Sequence, residues 1–336
     1  MESTPFLFHE RHRVQSQVNE LFMTTRKFFT EFAVNMFGDS SALLQQSQLE
    51  SSTLEEALPK GVPYHIYMIV RRPRIAFDPS TIKLVNNCFS GDFTIQHESK
   101  FDRHSFETPV RADEDKIKVL CPYPHTEFSV HNLSGEKLFG ANVALFLAKT
   151  DSKFWKHMDF EVLYIGQAYG EDGSRIAPDR LKSHSTLQSI YAEAIQRSPD
   201  KDIWIILWSF VPMLITGWAG GQKNLKATPE QDAEHADKVL GTEITEQQRI
   251  NFTEAALIRY FQPEYNKTFK GTFPSPAHST YAECYSLDLN TVNVELQTEN
   301  IMCRLWSPSV EPKWVHFAKF QLHSPEDRKS MFDLVL

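Results

Sequence analysis

The run Ile203-Trp-Ile-Ile-Leu-Trp-Ser-Phe210 constrains the fold more than any other stretch of this chain. It opens the longest uncharged segment, Ile203 to Gln222, which Ser209, Pro212, Gly217, Gly220 and Gly221 interrupt. Spanning a bilayer takes roughly 20 predominantly apolar residues in a helix, and proline breaks helices. The segment therefore reads as a buried strand followed by a turn, and no membrane span is expected. With 336 residues, 41% of them hydrophobic and 23% charged, the chain can bury a sizeable core in two or three domains rather than remain disordered.

The opening MESTPFLFHERH carries charge where a secretory leader needs its apolar run, so a cytoplasmic location is expected. Cys88, Cys121, Cys284 and Cys303 lie far apart and form no CxxC pair, which favours reduced structural thiols over zinc ligands. His9 and His12 sit three apart without further ligands nearby. Net charge is −8, from 35 basic against 43 acidic residues. Phosphate neutralisation drives nucleic-acid binding, so such a ligand would require locally concentrated positive charge or a partner subunit.

Patterning divides the chain into four regions. Residues 1–60 read as a helical region and linker: Val18, Leu21, Phe22, Phe28, Phe29, Phe32 and Val34 recur at helical intervals to about residue 38, before a Ser/Gln/Glu-rich stretch. Residues 61–137 read as a β-rich domain, with strands in YHIYMIVRR, DFTIQHE, KIKVLCP and FSVHNL. In residues 138–273, strands are expected at Asn142–Ala148, Phe160–Gln167 and the Ile203 run. Helices are expected from about Pro178 to Arg197 and from about Thr245 to Phe261, where Thr245 and Gln248 are spaced for a capping box. Residues 274–336 return to short strands in CYSLDL, VNVELQ and VHFAKFQL. The fold class is α+β.

The second expected helix places Glu254 in a stripe with Ile250, Leu257, Ile258 and Phe261. A buried carboxylate without a partner is costly and calls for a cation, a metal or protonation. On the earlier helix Arg180 and His184 lie one turn apart, and the stripe continues through Leu187 and Tyr191. Taken singly, Glu254 reads as a structural salt bridge and His184 as a satisfied core histidine. The order of motifs suggests more: Tyr164-Ile165-Gly166-Gln167 ending a strand, Arg180 with His184 on a helix, Glu254 on a later helix, then Pro263-Glu-Tyr-Asn266-Lys267.

This set resembles the GIY-YIG nucleases over roughly Leu138 to Gly271. The resemblance implies a small antiparallel sheet with flanking helices, embedded between the β-rich flanks, and endonuclease activity on DNA. It implies that Tyr164, Arg180, His184, Glu254 and Asn266 form the catalytic set, with Glu254 holding one Mg²⁺ or Mn²⁺. It further implies that Arg180 clamps the scissile phosphate, that Tyr164 contacts the attacking water or the phosphate, that His184 assists proton transfer, and that Asn266 buttresses the site. Gly166, Gln167, Arg175, Lys182 and Lys267 are the expected substrate contacts.

The family's first tyrosine is expected on the strand before Tyr164. At Asn142–Ala148 the nearest candidate is Phe146, which has no hydroxyl; Tyr169 is a substitute. Two functional readings result. One is a metal-dependent endonuclease in bacterial restriction or phage defence, acting alone, as a homodimer or with a partner subunit. The other is a catalytically degenerate nucleic-acid-binding or scaffold protein. Action on RNA is a third reading, since phosphodiester chemistry does not itself distinguish the sugars.

Overall fold

The Ile203 run does form a strand, and it lies inside the main sheet of a mixed α+β structure. A computed structural model describes residues 26–49, 58–110, 116–169, 177–182, 185–219 and 225–333. Its eight-stranded sheet has the order β14-β13-β10-β2-β11-β1-β12-β15. These strands are β1 (Thr30–Leu44), β2 (Ile66–Pro73), β10 (Phe160–Gln167), β11 (Lys201–Trp218), β12 (Thr291–Gln297), β13 (Leu305–Ser307), β14 (Val310–Lys313) and β15 (Val315–Gln321). β1 with β12 and β10 with β13 pair parallel, and the other neighbours pair antiparallel. One sheet thus crosses all three boundaries expected from patterning.

Strand alternation sends side chains to two apolar layers. Ile66, Met68, Val70, Trp204, Ile206 and Trp208 face the larger core, together with Phe252, Ala255, Ile258 and Phe261 of a helix, Glu246–Phe261. Tyr67, Ile69, Ile203, Ile205 and Leu207 face the opposite layer, under Ala177, Leu181, Leu187 and Ile190. Those four residues belong to helices α2 (Ala177–Leu181) and α3 (Ser185–Arg197); the single helix expected there is therefore two. β11 runs on to Trp218 along β1, and from Val211 it is largely exposed, so the expected turn comes later than the end of the apolar run.

Between β2 and β10 the chain forms two smaller sheets. β3 (Ile75–Phe77), β4 (Lys83–Val85), β5 (Cys88–His97) and β6 (Lys100–Pro109) make one; β7 (Ile117–Leu120), β8 (Glu127–Asn132) and β9 (Lys137–Asn142) make the other. The rings of Phe77, Phe89, Phe106, Phe128 and Phe146 pack among them at centroid distances of 4.8–6.2 Å. All four cysteines are free, and among the described residues no helix is long and apolar enough to cross a membrane.

Four expectations are overturned. The described part of the expected N-terminal helix is strand β1, buried continuously from Glu31 to Met36; residues 1–25 lie outside the described residues. A central strand covered on both faces has no period-two signature, so Phe28, Phe32 and Val34 imitated a helical stripe. Asn142–Ala148 is not a strand but helix α1 (Val143–Thr150), which Asn142 caps by accepting from the Ala144 N–H at 3.1 Å. CYSLDL is not a strand either, because Cys284 and Tyr285 lie in a short helix, Ala282–Ser286.

The Thr245 capping box is also absent. Gln248 Oε1 instead accepts from the Glu283 N–H at 2.9 Å, and the Thr245 N–H donates to Glu283 at 3.0 Å. A capping box does form at Thr228 and Gln231, where the acidic segment begins helix α4 (Pro229–Gly241). Glu246–Phe261 is hereafter α5 and Ala282–Ser286 is α6.

Candidate active site

Tyr164-Ile165-Gly166 lies near the end of β10, and its antiparallel neighbour is β2, entered through His65-Ile66-Tyr67. Tyr67 pairs directly with Gly166. A Cβ added at Gly166 would lie 2.5 Å from the Tyr67 hydroxyl oxygen and 2.9 Å from a Tyr164 ring carbon. Glycine is required here because the Tyr67 ring lies across its backbone. The register shifts between Val162 and Tyr164, and both Leu163 and Tyr164 consequently turn to the layer containing Tyr67. A bulge re-aims side chains in this way. The two tyrosine rings lie 6.1 Å apart.

Arg180, half-buried on α2, lies close enough to the Tyr67 hydroxyl to favour its ionised form, and Tyr67 acts in the same way on Tyr164. Burial pushes both phenols above their ordinary range; the nearby Glu254 adds to this, while Arg180 opposes it. Glu254 comes from α5 in the other layer, amid the buried side chains of Ile250, Leu257, Ile258 and Phe261. Its residue keeps partial surface exposure, yet burial of the carboxyl raises its pKa to about 7; the Gln167 hydrogen bond and Arg180 act in the opposite sense. Gln167 Nε2 donates to Glu254 Oε2 at 2.8 Å. No ion pair within 4.0 Å joins Arg180 to Glu254.

Asn266 is buried and fixes the strand from behind. Its Oδ1 accepts from the Ile165 N–H at 2.9 Å and its Nδ2 donates to the Ile165 carbonyl at 2.8 Å. His65 Nδ1 bonds the Ala168 carbonyl at 2.7 Å, and its Nε2 lies 3.9 Å from Glu246. His65 thus ties the start of β2 to the end of β10, beside the first turn of α5.

Of the residues expected from sequence, Tyr164, Arg180, Glu254 and Asn266 converge with Gly166 and Gln167. Gly166 is buried beneath Tyr67, whereas Lys182 and Lys267 are exposed. His184 and Arg175 lie outside the described residues. Phe146 sits on a helix among phenylalanines, so the strand expected to carry the first-tyrosine position is not there. Tyr67 is the residue that sequence reading missed. Its signal was a His-Ile-Tyr triplet entering the strand run IYMIV, separated from its partner strand by the two smaller sheets.

Glu254 suits a hard divalent cation as a single carboxylate, with its Oε2 held by Gln167 and no cationic side chain among the described residues in ion-pair contact. Mg²⁺ is commonly held by one or two carboxylates, waters and substrate phosphates. No group of three or more His, Cys, Asp or Glu suited to a metal occurs among the described residues. Two surface grooves of about 600 and 630 Å³ lie elsewhere: one beside Arg74, Tyr191 and Lys201, the other beside Phe28, His235 and Lys238. No family model matches the chain, and no curated protein or solved structure matches it.

Proposed function

We propose that this chain is a GIY-YIG-type endonuclease that hydrolyses DNA phosphodiester bonds with Mg²⁺ or Mn²⁺ at Glu254, in the setting of restriction or phage defence. The observation that carries the reading is the convergence of two tyrosines from neighbouring antiparallel strands with one arginine and one carboxylate. Tyr67 supplies the hydroxyl that the Asn142–Ala148 segment lacked, which makes His65-Ile66-Tyr67 the counterpart of the family's first motif.

In this reading Arg180 neutralises charge on the scissile phosphate, a task suited to its planar donor fork. Both phenols are protonated at neutral pH, so Tyr164 orients the attacking water and phosphate by hydrogen bonding, and the fully buried Tyr67 acts through Tyr164. Arg180, through its positive charge beside Tyr67, is the residue that favours its phenolate. The cation, when bound at Glu254, stabilises charge developing on the leaving oxygen. Lys182 and Lys267 meet flanking phosphates, giving local positive charge to a chain of net charge −8.

The test is cleavage of plasmid and phage DNA with Mg²⁺ or Mn²⁺ by the wild type and Glu254→Ala. Metal-dependent cutting lost in the variant supports the assignment. Equal cutting by both refutes it, and cutting of RNA alone changes the substrate. A second reading, an inert nucleic-acid-binding scaffold, draws support from the tight packing: Tyr67 is fully buried and neither large groove is lined by a site residue. Nucleic-acid binding without cutting is its expected outcome.

A further inference from the structure

Gln167 was expected among the substrate contacts, but its hydrogen bonds give it a different task. Its Nε2 lies 2.8 Å from Glu254 Oε2 and 2.9 Å from Asn251 Oδ1. An amide nitrogen carries two hydrogens, and these two acceptors use both. The remaining side-chain atom, Oε1, is an acceptor and cannot bond an unprotonated phosphate oxygen. The orientation of the amide follows from its neighbours. Asn251 Nδ2 donates to the Thr280 carbonyl at 3.2 Å, which leaves Asn251 Oδ1 to accept, and an ionised Glu254 can only accept.

Asn251 and Glu254 are three residues apart on α5 and so share a face. The relay Thr280–Asn251–Gln167–Glu254 therefore ties the end of β10 to α5 and to the short 3₁₀ helix Ser279–Tyr281. It holds the Glu254 carboxylate through Oε2.

We propose that Gln167 is a positioning residue that sets the orientation of the Glu254 carboxylate for a divalent cation, rather than a residue that touches DNA. The inference rests on the nuclease reading, in which Glu254 is the metal ligand. Partners that orient a metal-binding side chain are worth roughly 10–100-fold in metal affinity or activity.

The test titrates the full-length protein with Mn²⁺ alone, without DNA, reading bound metal by electron paramagnetic resonance for wild type, Gln167→Met, Asn251→Leu and Glu254→Ala. Methionine matches the length of glutamine without its donors. Asn251→Leu spares both Gln167 and Glu254, and serves if Gln167→Met does not fold. The expected result is Mn²⁺ affinity lowered about tenfold or more in Gln167→Met, lowered in the same direction in Asn251→Leu, and lost in Glu254→Ala. In cleavage assays Gln167→Met should lower kcat and leave the KM for DNA unchanged.

Wild-type affinity in Gln167→Met and Asn251→Leu, with binding lost in Glu254→Ala, overturns the positioning role and spares the nuclease reading. A raised KM with unchanged kcat in Gln167→Met also overturns it, because the side chain would then contact DNA. Wild-type affinity in Glu254→Ala removes the metal assignment itself, and the inference with it.

Discussion

Removing the charge of Glu254 should make the metal-free protein more stable at neutral and mildly alkaline pH. Folding raises this carboxyl from an ordinary 4.5 to about 7, chiefly by burial. Between those values the unfolded chain has released the proton and the folded one retains it, so stability falls as pH rises through the window and stays low above it. At about 1.4 kcal/mol per pH unit, the cost at pH 8 is on the order of 3 kcal/mol, and solvent reaching the partly exposed residue reduces it. Glu254→Gln keeps the shape, can still accept from Gln167 through its amide oxygen, and does not ionise. Urea unfolding of both proteins in a chelating buffer at pH 4.5 and pH 8 measures the difference. The variant's stability relative to wild type should rise by about 1–3 kcal/mol between the two pH values. A difference independent of pH would show that Glu254 ionises normally, and the argument from its apolar surroundings would fail.

Three other perturbations probe the frame of the site. Gly166→Ala puts a methyl group into the Tyr67 ring; a loss of about 1–3 kcal/mol is expected in thermal or urea melts, together with loss of cleavage. Asn266→Ala strands the buried N–H and carbonyl of Ile165, and roughly 2–4 kcal/mol should be lost in the same melts. Arg328→Met leaves Glu31, fully buried and ion-paired to it, without its partner; unfolding should become easier by about 3–5 kcal/mol. The double variant Glu31→Gln/Arg328→Met should recover part of that loss.

The half of the site that lies within short sequence reach was legible. Tyr164-Ile165-Gly166, the carboxylate in an apolar helical stripe and Asn266 are each local patterns, and they converge with Arg180. Tyr67 was not legible in the same way, because its contact with Gly166 joins strands separated by residues 74–159. The segment before Tyr164 in sequence, Asn142–Ala148, is a short apolar run that fits a strand or a helix equally well; its Asn142 cap was the available clue. β1 was misread for a related reason, since burial on both faces erases alternation. The bulge that turns Tyr164 toward Tyr67 leaves no mark on composition or spacing.

In the proposed nuclease Tyr67, not a residue of the Asn142–Ala148 segment, completes the reactive group. The most direct measurement is the rate of Mn²⁺-supported DNA cleavage by Tyr67→Phe and Phe146→Leu against the wild type, each first shown to be folded by circular dichroism. A loss of at least about a hundredfold is expected in Tyr67→Phe, because the hydroxyl that acts between Arg180 and Tyr164 is removed. Cutting close to wild type is expected in Phe146→Leu. Cleavage by Tyr67→Phe at the wild-type rate would show that Tyr67 takes no part in the reaction.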